Sequence, residues 1–257
     1  GHGNVIKLDL DSNSGTIALP NVFDGPILFD EAAGPIVFWF GRDYVGIRGE
    51  NLSFTNDEST ITGGFGLSMP RKDGREHQTT LIANVEKMDV RRAKKYVPIG
   101  LPQGLKPWLT TRLRDVGSFS AVQLVYLGRN VIYPGLPLRR AELLADFESL
   151  SVNFHEDWPL VSGADGRLEV TARESRVELR EAVSFEAKVT NAVVSIPSNG
   201  FYIDAKLDVV VPVARALLFA QEKSMELLAP LIGGGLVGEG SLGIDASLRV
   251  PLKDRPG

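Results

Sequence analysis

Few side chains in this sequence have the types and spacing that catalysis or metal binding requires. The histidines are His2, His77 and His155, and neither His77 nor His155 has a suitably spaced partner for a zinc site. The absence of cysteine excludes a thiol nucleophile, an iron–sulfur cluster and a disulfide framework. No G-x-S-x-G nucleophile motif is present. We therefore predict that the chain is not an enzyme and uses no metal or other cofactor.

A glycine-rich segment matches a nucleotide-binding pattern in the wrong structural context. Residues 233–238 fit G-x-G-x-x-G, a motif that binds dinucleotides when it follows a strand and opens a helix. Here it follows a helical pattern and precedes a strand pattern. We interpret it as the end of a helix followed by re-entry into a sheet.

A basic cluster, Arg91, Arg92, Lys94 and Lys95, lies beside Tyr96. It could attract phosphate or anionic headgroups, but such a run is more often a solvated helix face. The whole chain has 28 Lys and Arg against 32 Asp and Glu, a net charge of −4. The chain therefore lacks the overall excess of positive charge that would favour nucleic acid as a partner.

The elements that would position these side chains are mostly strands. In residues 201–209 apolar side chains alternate with Asp204, Lys206 and Asp208, and residues 242–250 repeat the pattern. Strict alternation is typical of a strand with one buried and one wet face. Turn signals at roughly 8–12 residue intervals, among them 41–43 and 163–166, favour a mostly antiparallel, mostly β arrangement.

Helical patterns are limited to Val90–Tyr96, Leu105–Leu113 and Val213–Leu231. A long sheet has an apolar face to cover, and so few helices cannot cover it. The face must either pack on another sheet, as in a closed sandwich, or remain as a groove for something apolar. Residue pattern alone leaves both possibilities open.

The chain also contains an internal repeat at an offset of about 120 residues. A strand, a helical segment, a glycine and a second strand recur in the same order around 89–126 and 201–250. We predict that residues 1–3 are a cloning scar, that residues 4–135 form a first β-module and that residues 136–257 form a second. We also expect the sequence to be a piece of a longer protein.

Several spaced motifs resemble YhdP-like proteins of the AsmA-like group, the bridge-like lipid-transfer proteins. Residues 89–98 run into Leu105-Lys106-Pro107-Trp108-Leu109 and Gly117, and the Trp158-Pro159 pair and the 238–252 segment are also similar to that family. The family's Phe-Pro-Phe after its first module is replaced here by residues 131–135. The resemblance extends over nearly the whole chain from about residue 15.

This resemblance implies a mainly β fold: an elongated, twisted, mostly antiparallel sheet folded into an open groove, with a few short helices. It implies a segment of a periplasmic protein of a Gram-negative envelope, tethered to the inner membrane in the full-length chain. The expected partners are phospholipid acyl chains, neighbouring modules of the same chain, and the inner and outer membranes at its ends. Burial of hydrocarbon is worth about 0.8 kcal/mol per CH₂, so a continuous apolar groove would let lipid tails cross water. The Val213–Leu231 helix could cap the groove.

The predicted lipid-binding lining is the set of apolar residues that share the inward strand face. It comprises Val45, Ile47, Leu52, Phe54, Phe65, Leu67, Leu81, Ala83, Val85, Phe147, Leu150, Val152, Leu168, Val170, Val177, Leu179, Phe185, Ala187, Val189, Phe201, Ile203, Leu207, Val209, Leu242, Ile244 and Leu248.

The main alternative is a structural or assembly protein with a closed β-sandwich core. Such a protein would offer its sheet edges to client strands, as TamB-like envelope proteins are thought to do. A monomer whose apolar face stays unpacked would favour the lipid-binding interpretation over this one.

Overall fold

The computed structural model is dominated by one large antiparallel sheet. It describes residues 4–18, 20, 23–56, 59–72, 77–97, 110–129, 139–153, 159–198, 202–221 and 238–251. The strands are β1 Asn4–Ser12, β2 Gly15–Ile17, β3 Ile27–Phe29, β4 Glu31–Phe40, β5 Tyr44–Asn56, β6 Ser59–Pro70, β7 Gln78–Asp89, β8 Ser118–Arg129, β9 Arg139–Val152, β10 Val161–Val170, β11 Glu174–Ser184, β12 Ala187–Pro197, β13 Tyr202–Pro212 and β14 Ser241–Pro251.

Twelve of these strands form the sheet, in the order β1-β4-β5-β6-β7-β8-β9-β10-β11-β12-β13-β14, and β2 pairs only with β3. Apart from the β2–β3 excursion, each strand lies beside its neighbour in sequence. The end strands β1 and β14 each have one neighbour in this sheet, so it is not closed into a barrel. The predicted fold class, a mainly antiparallel open sheet with few short helices, is confirmed.

The helices follow β7 and β13 directly. The first is α1 Val90–Ala93, which continues as the 3₁₀ helix Lys94–Tyr96, and the second is α2 Val213–Gln221. Both were predicted, although the predicted extension of α2 to Leu231 lies outside the described residues. Of the predicted Leu105–Leu113 helix, residues 110–112 are helical, whereas Leu113 bridges Val152.

The internal repeat has a structural counterpart at one fixed offset. The helices begin at Val90 and Val213, and the strands after them begin at Ser118 and Ser241, so both pairs are separated by 123 residues. Glycines with φ of 97° and 98° precede these strands at positions 117 and 240. The same offset for the helix start, the glycine and the strand start indicates a duplicated strand–helix–strand unit.

The chain divides into two compact units. The first consists of Gly1–Thr111, Ser118–Asp146 and Glu169–Ala172, and the second of Arg112–Gly117, Phe147–Leu168 and Arg173–Gly257. The predicted assignment of residues 4–135 and 136–257 to two modules stays a prediction. Each unit is treated separately below.

The turn predicted at residues 163–166 was wrong, because this segment lies inside β10. Its two glycines do not reverse the chain. One adopts an irregular backbone conformation, and the other allows close packing. Gly163 has φ 57°, and a Cβ on Gly166 would lie 2.1 Å from the Glu178 carbonyl oxygen and 2.6 Å from Cζ of Phe147. A glycine at this position lets the neighbouring strand and an aromatic ring approach the backbone closely.

Candidate functional site

In the first unit, strand register gathers apolar side chains from six strands onto one face. Cross-strand partners share a face, and the register follows rows such as Phe38–Ile47–Leu67 and Phe40–Val45–Met69. We call this face the first apolar surface. It comprises Ile6, Leu8, Ile36, Phe38, Phe40, Val45, Ile47, Leu52, Phe54, Ile61, Phe65, Leu67, Met69, Leu81, Ala83, Val85, Val122, Leu124 and Tyr126.

In the second unit, β11 to β14 form an equivalent face. Leu179 pairs with Ala192, Ala192 with Leu207, and Leu207 with Ala246. We call this face the second apolar surface. It comprises Val177, Leu179, Ala182, Ala187, Val189, Ala192, Val194, Ile196, Ile203, Ala205, Leu207, Val209, Val211, Leu242, Ile244, Ala246 and Leu248.

Irregularities in the strands keep both surfaces continuous. Ile47 and Leu52 have opposite sequence parity, so an uninterrupted strand would place them on opposite faces. The β5–β6 register shifts between Gly49 and Leu52, where Asn51 adopts φ 53°, and this extra residue returns Leu52 to the face of Ile47. A register shift between Val189 and Asn191 has the same effect in β12.

The opposite face of the second unit is mainly polar and carries ion pairs, with Val183 and Val210 exposed among the charges. Arg249 Nε donates to Asp204 Oδ1 at 2.7 Å, and its guanidinium lies 4.3 Å from the centroid of the Tyr202 ring. This hydrogen bond lowers the pKa of Asp204 and raises that of Arg249. Lys206 is exposed on the same face. The sheet of the second unit is therefore amphipathic, with its charges on one side.

The opposite face of the first unit is mixed but mainly polar. Thr60, Thr62 and Asn84 lie there, while Ile82 and Val125 are exposed and pair with each other. Isolated exposed apolar pairs of this size are ordinary on protein surfaces. The continuous apolar area lies on the other side of these strands.

Parts of both apolar surfaces remain open to solvent. Leu242, Ile244 and Leu248 in β14 have exposed fractions of 43–44 %. In the first unit, Ile6 and Leu8 are about half exposed, at 49 % and 53 %. Large contiguous patches of exposed apolar residues are uncommon in soluble monomers and mark sites of interaction with a protein, a membrane or a ligand.

Other parts of the predicted lining are buried. In β9 and β10 the residues Phe147, Leu150, Val152, Leu168 and Val170 are all less than a tenth exposed. Leu113 forms an antiparallel bridge with Val152, so its backbone lies beside β9, and the bridge is flanked by the hydrogen bonds Arg114 N to Ser151 O and Asn153 N to Arg112 O. Leu52 and Val85 of the first unit are also buried. These seven side chains form core in the structure, and their contact with lipid stays a prediction.

Apart from Phe185, the remaining predicted residues fall into three groups. Those that are half-buried on one of the two apolar surfaces are Val45, Ile47, Phe54, Phe65, Leu67, Leu81, Ala83, Val177, Leu179, Ala187, Val189, Ile203, Leu207 and Val209. Leu242, Ile244 and Leu248 are the exposed ones, and Phe201 lies outside the described residues. Sequence reasoning missed Ile6, Leu8, Phe38 and Phe40, although Ile6 and Leu8 alternate with Lys7 and Asp9 in a readable pattern.

Phe185 was placed in a strand by prediction, but it lies in the turn between β11 and β12. Phe185 and Glu186 have φ of 51° and 63°, the left-handed conformations of a two-residue hairpin turn that usually carries Asn-Gly. Arg215 of α2 contacts both residues. It forms an ion pair with the Glu186 carboxylate, and its guanidinium lies 5.7 Å from the centroid of the Phe185 ring. These contacts hold an otherwise unfavourable turn at the end of the second apolar surface.

This ion pair predicts a dependence of stability on pH. The Arg215 hydrogen bond lowers the pKa of Glu186 below its ordinary value. A lowered folded-state pKa contributes stability above the unfolded-state pKa, and that contribution is lost as pH falls through the folded value. Between about pH 6 and pH 3, the melting temperature of the native protein should fall more than that of Glu186→Gln. Parallel curves in thermal unfolding by circular dichroism would show that the pair contributes nothing.

Comparison with known protein families decides the family of this chain. The model of the family described as "YhdP protein" matches residues 2–220 of the 257. The chain belongs to the YhdP family. No curated protein and no solved structure matches the chain.

Membership of the YhdP family indicates an envelope protein of a group associated with lipid transport. The family is not a known enzyme family. Within the described parts of the chain, no helix combines the length and apolar character needed to cross a bilayer. The same residues form no cluster of three or more His, Asp or Glu side chains that could hold a metal ion.

Proposed function

We propose that this chain shields phospholipid acyl chains on its apolar sheet face, as a segment of a periplasmic protein that moves lipids between the inner and outer membranes of a Gram-negative envelope. The full-length protein would be tethered to the inner membrane, and neighbouring modules would continue the apolar path. The observation that carries the proposal is a continuous apolar face in each unit that remains partly open to solvent.

The physical argument rests on how apolar area is distributed. A lipid tail gains roughly 0.8 kcal/mol for each CH₂ that leaves water, and extended apolar surfaces supply this gain without a single strong site. In the cross-strand row Val189–Val209–Ile244, the first two side chains are half-buried and the third is exposed. A lipid tail could therefore lie across this row without displacing buried side chains. Membership of a lipid-transport-associated family supports the same proposal.

Native mass spectrometry with lipid extraction tests it. The purified chain, incubated with phosphatidylethanolamine and phosphatidylglycerol vesicles and then separated from them, should retain phospholipid at a stoichiometry of at least about one. Bovine serum albumin and a lipid-free immunoglobulin domain serve as positive and negative controls. A chain that emerges free of lipid would contradict the proposal.

A second function is favoured by the sheet edges. β14 pairs with β13 over eleven residues without a register shift and has no neighbour on its other side in the described sheet. An unblocked edge of this length can accept a client strand. Absence of bound lipid, together with protection of β14 amides from hydrogen exchange by an outer-membrane protein peptide, would favour this assembly role.

A further inference from the structure

Two neighbouring turns of the first unit carry exposed cations at one end of the strands. Arg42 lies in the β4–β5 turn, and Arg71 and Lys72 follow β6; all three are exposed. The Arg71 N–H donates to the Asp43 carbonyl at 2.9 Å, so the two turns are joined by a backbone hydrogen bond. The β4–β5 turn is itself closed by a bond of 2.8 Å from Gly41 N to Tyr44 O. The backbones that carry Arg42 and Arg71 are therefore joined directly.

These turns border the open end of the first apolar surface. Phe40, Val45 and Met69 form its last cross-strand row at this end. Phe40 and Met69 have exposed fractions of 39 % and 36 %. Arg42 and Arg71 lie two residues beyond Phe40 and Met69, and a strand advances about 3.3 Å per residue. Positive charge thus begins within one or two residues of exposed hydrocarbon.

The other end of the same strands is different. There Val85 and Met88 are buried, and Val90 is completely buried. Arg91 and Lys95 are exposed beside them, but the apolar side chains next to these cations are already covered. At the turn end, exposed cations lie next to exposed apolar side chains. At the helix end, the apolar side chains beside the cations are buried.

We propose that Arg42, Arg71 and Lys72 bind the phosphodiester of a glycerophospholipid whose acyl chains lie over the Phe40–Val45–Met69 row. This inference rests on the proposed function and adds a headgroup site to it. The boundary between hydrocarbon and phosphate in such a lipid matches the boundary between the apolar row and the cationic turns. Guanidinium and ammonium groups are the side chains that recognise phosphate oxygens, and each basic residue adds to the attraction of an anionic lipid.

Among the described residues of these two turns, one carboxylate, Asp43, opposes the three cations. The sequence of the two turns, residues 41–44 and 71–77, holds four basic side chains against three acidic ones, whereas the whole chain carries a net charge of −4. The local charge favours an anionic ligand even though the protein as a whole would repel one.

The test separates phosphate recognition from tail binding. Dioctanoyl phosphatidylglycerol and dioctanoylglycerol carry the same acyl chains, and only the first carries phosphate. Isothermal titration calorimetry below their micellar concentrations would measure both on the native protein, on Arg42→Glu with Lys72→Glu, and on Arg91→Glu with Lys95→Glu. The last variant makes the same change of charge at the helix end.

We expect the Arg42→Glu, Lys72→Glu variant to bind dioctanoyl phosphatidylglycerol about tenfold more weakly and dioctanoylglycerol unchanged. The Arg91→Glu, Lys95→Glu variant should bind both like the native protein. Circular dichroism will show whether the Arg42→Glu, Lys72→Glu variant is folded. If it is not, Arg42→Gln with Lys72→Gln should still weaken phosphatidylglycerol binding about threefold.

Three results would overturn the headgroup site. Equal weakening by both charge-reversed variants would show non-specific attraction, and no weakening by either would show that the turns do not contact phosphate. Inorganic phosphate that binds as tightly as dioctanoyl phosphatidylglycerol, and depends on Arg42 and Lys72, would place a free-phosphate site there instead. A native protein that binds neither lipid would remove the proposed function itself, a result distinct from the other three.

Discussion

Replacement of Val189 and Leu207 together by aspartate should reduce phospholipid binding by at least about tenfold while the sheet stays folded. The two side chains lie in adjacent strands on the second apolar surface, and both are half-buried. Two carboxylates there would have to lose water when a lipid tail covers them, whereas in the free protein they can stay hydrated. The penalty therefore falls on lipid binding more than on folding.

The same strands provide a matched control for this prediction. Val193 and Val210 lie in β12 and β13 on the opposite face, where their register partners are Lys206 and Lys188. Val193→Asp with Val210→Asp introduces the same charge into the same strands but should leave lipid retention, measured by native mass spectrometry, unchanged. If the control loses lipid as completely as the Val189, Leu207 pair, the apolar surface is not the binding face. If only the Val189, Leu207 pair unfolds, those residues are core.

Phe147→Ala should have the largest effect on stability, about 3–5 kcal/mol in urea unfolding. The Phe147 side chain is 3 % exposed, and the absence of a side chain at Gly166 lets its ring pack close to the β10 backbone. Truncation would leave a cavity that the surrounding strands cannot fill. The expected cause is lost packing, although Phe147 was first identified as a lipid-lining candidate.

Leu248→Ala is the control, because Leu248 is 44 % exposed in β14. It should cost less than about 1 kcal/mol while weakening lipid retention. A Phe147→Ala protein as stable as the native one would contradict the assignment of this residue to the core. Equal destabilisation by both substitutions would mean that β14 is packed as tightly as β9.

The sequence predicted which side chains share a strand face better than it predicted whether that face is buried. Alternation around Leu207 identified both the strand and its apolar side, because a period of two needs no knowledge of neighbouring strands. The same alternation cannot tell whether another segment covers a face. Leu150 and Leu207 therefore looked alike in sequence, yet Leu150 is buried and Leu207 is half-buried.

Local irregularities account for the other differences. The predicted lining placed Ile47 and Leu52 on one face despite their opposite parity, and the register shifts against β4 and β6 show that an extra residue near Asn51 is the reason. The turn at Phe185 and Glu186 lacks the usual Asn-Gly signal, and its contacts with Arg215, distant in sequence, are visible only in the structure. The cationic turns around Arg42 and Arg71 likewise become one patch only through the register of β5 and β6.

Site-specific photocrosslinking to lipid tests the central claim most directly. A photoreactive phenylalanine analogue at Leu207 reports from the second apolar surface, and the same analogue at Val193 reports from the opposite face of the neighbouring strand. In Gram-negative cells expressing the full-length protein, the shielding model predicts phospholipid crosslinks at position 207 and none at position 193. Crosslinks at neither position, or at both equally, would contradict it.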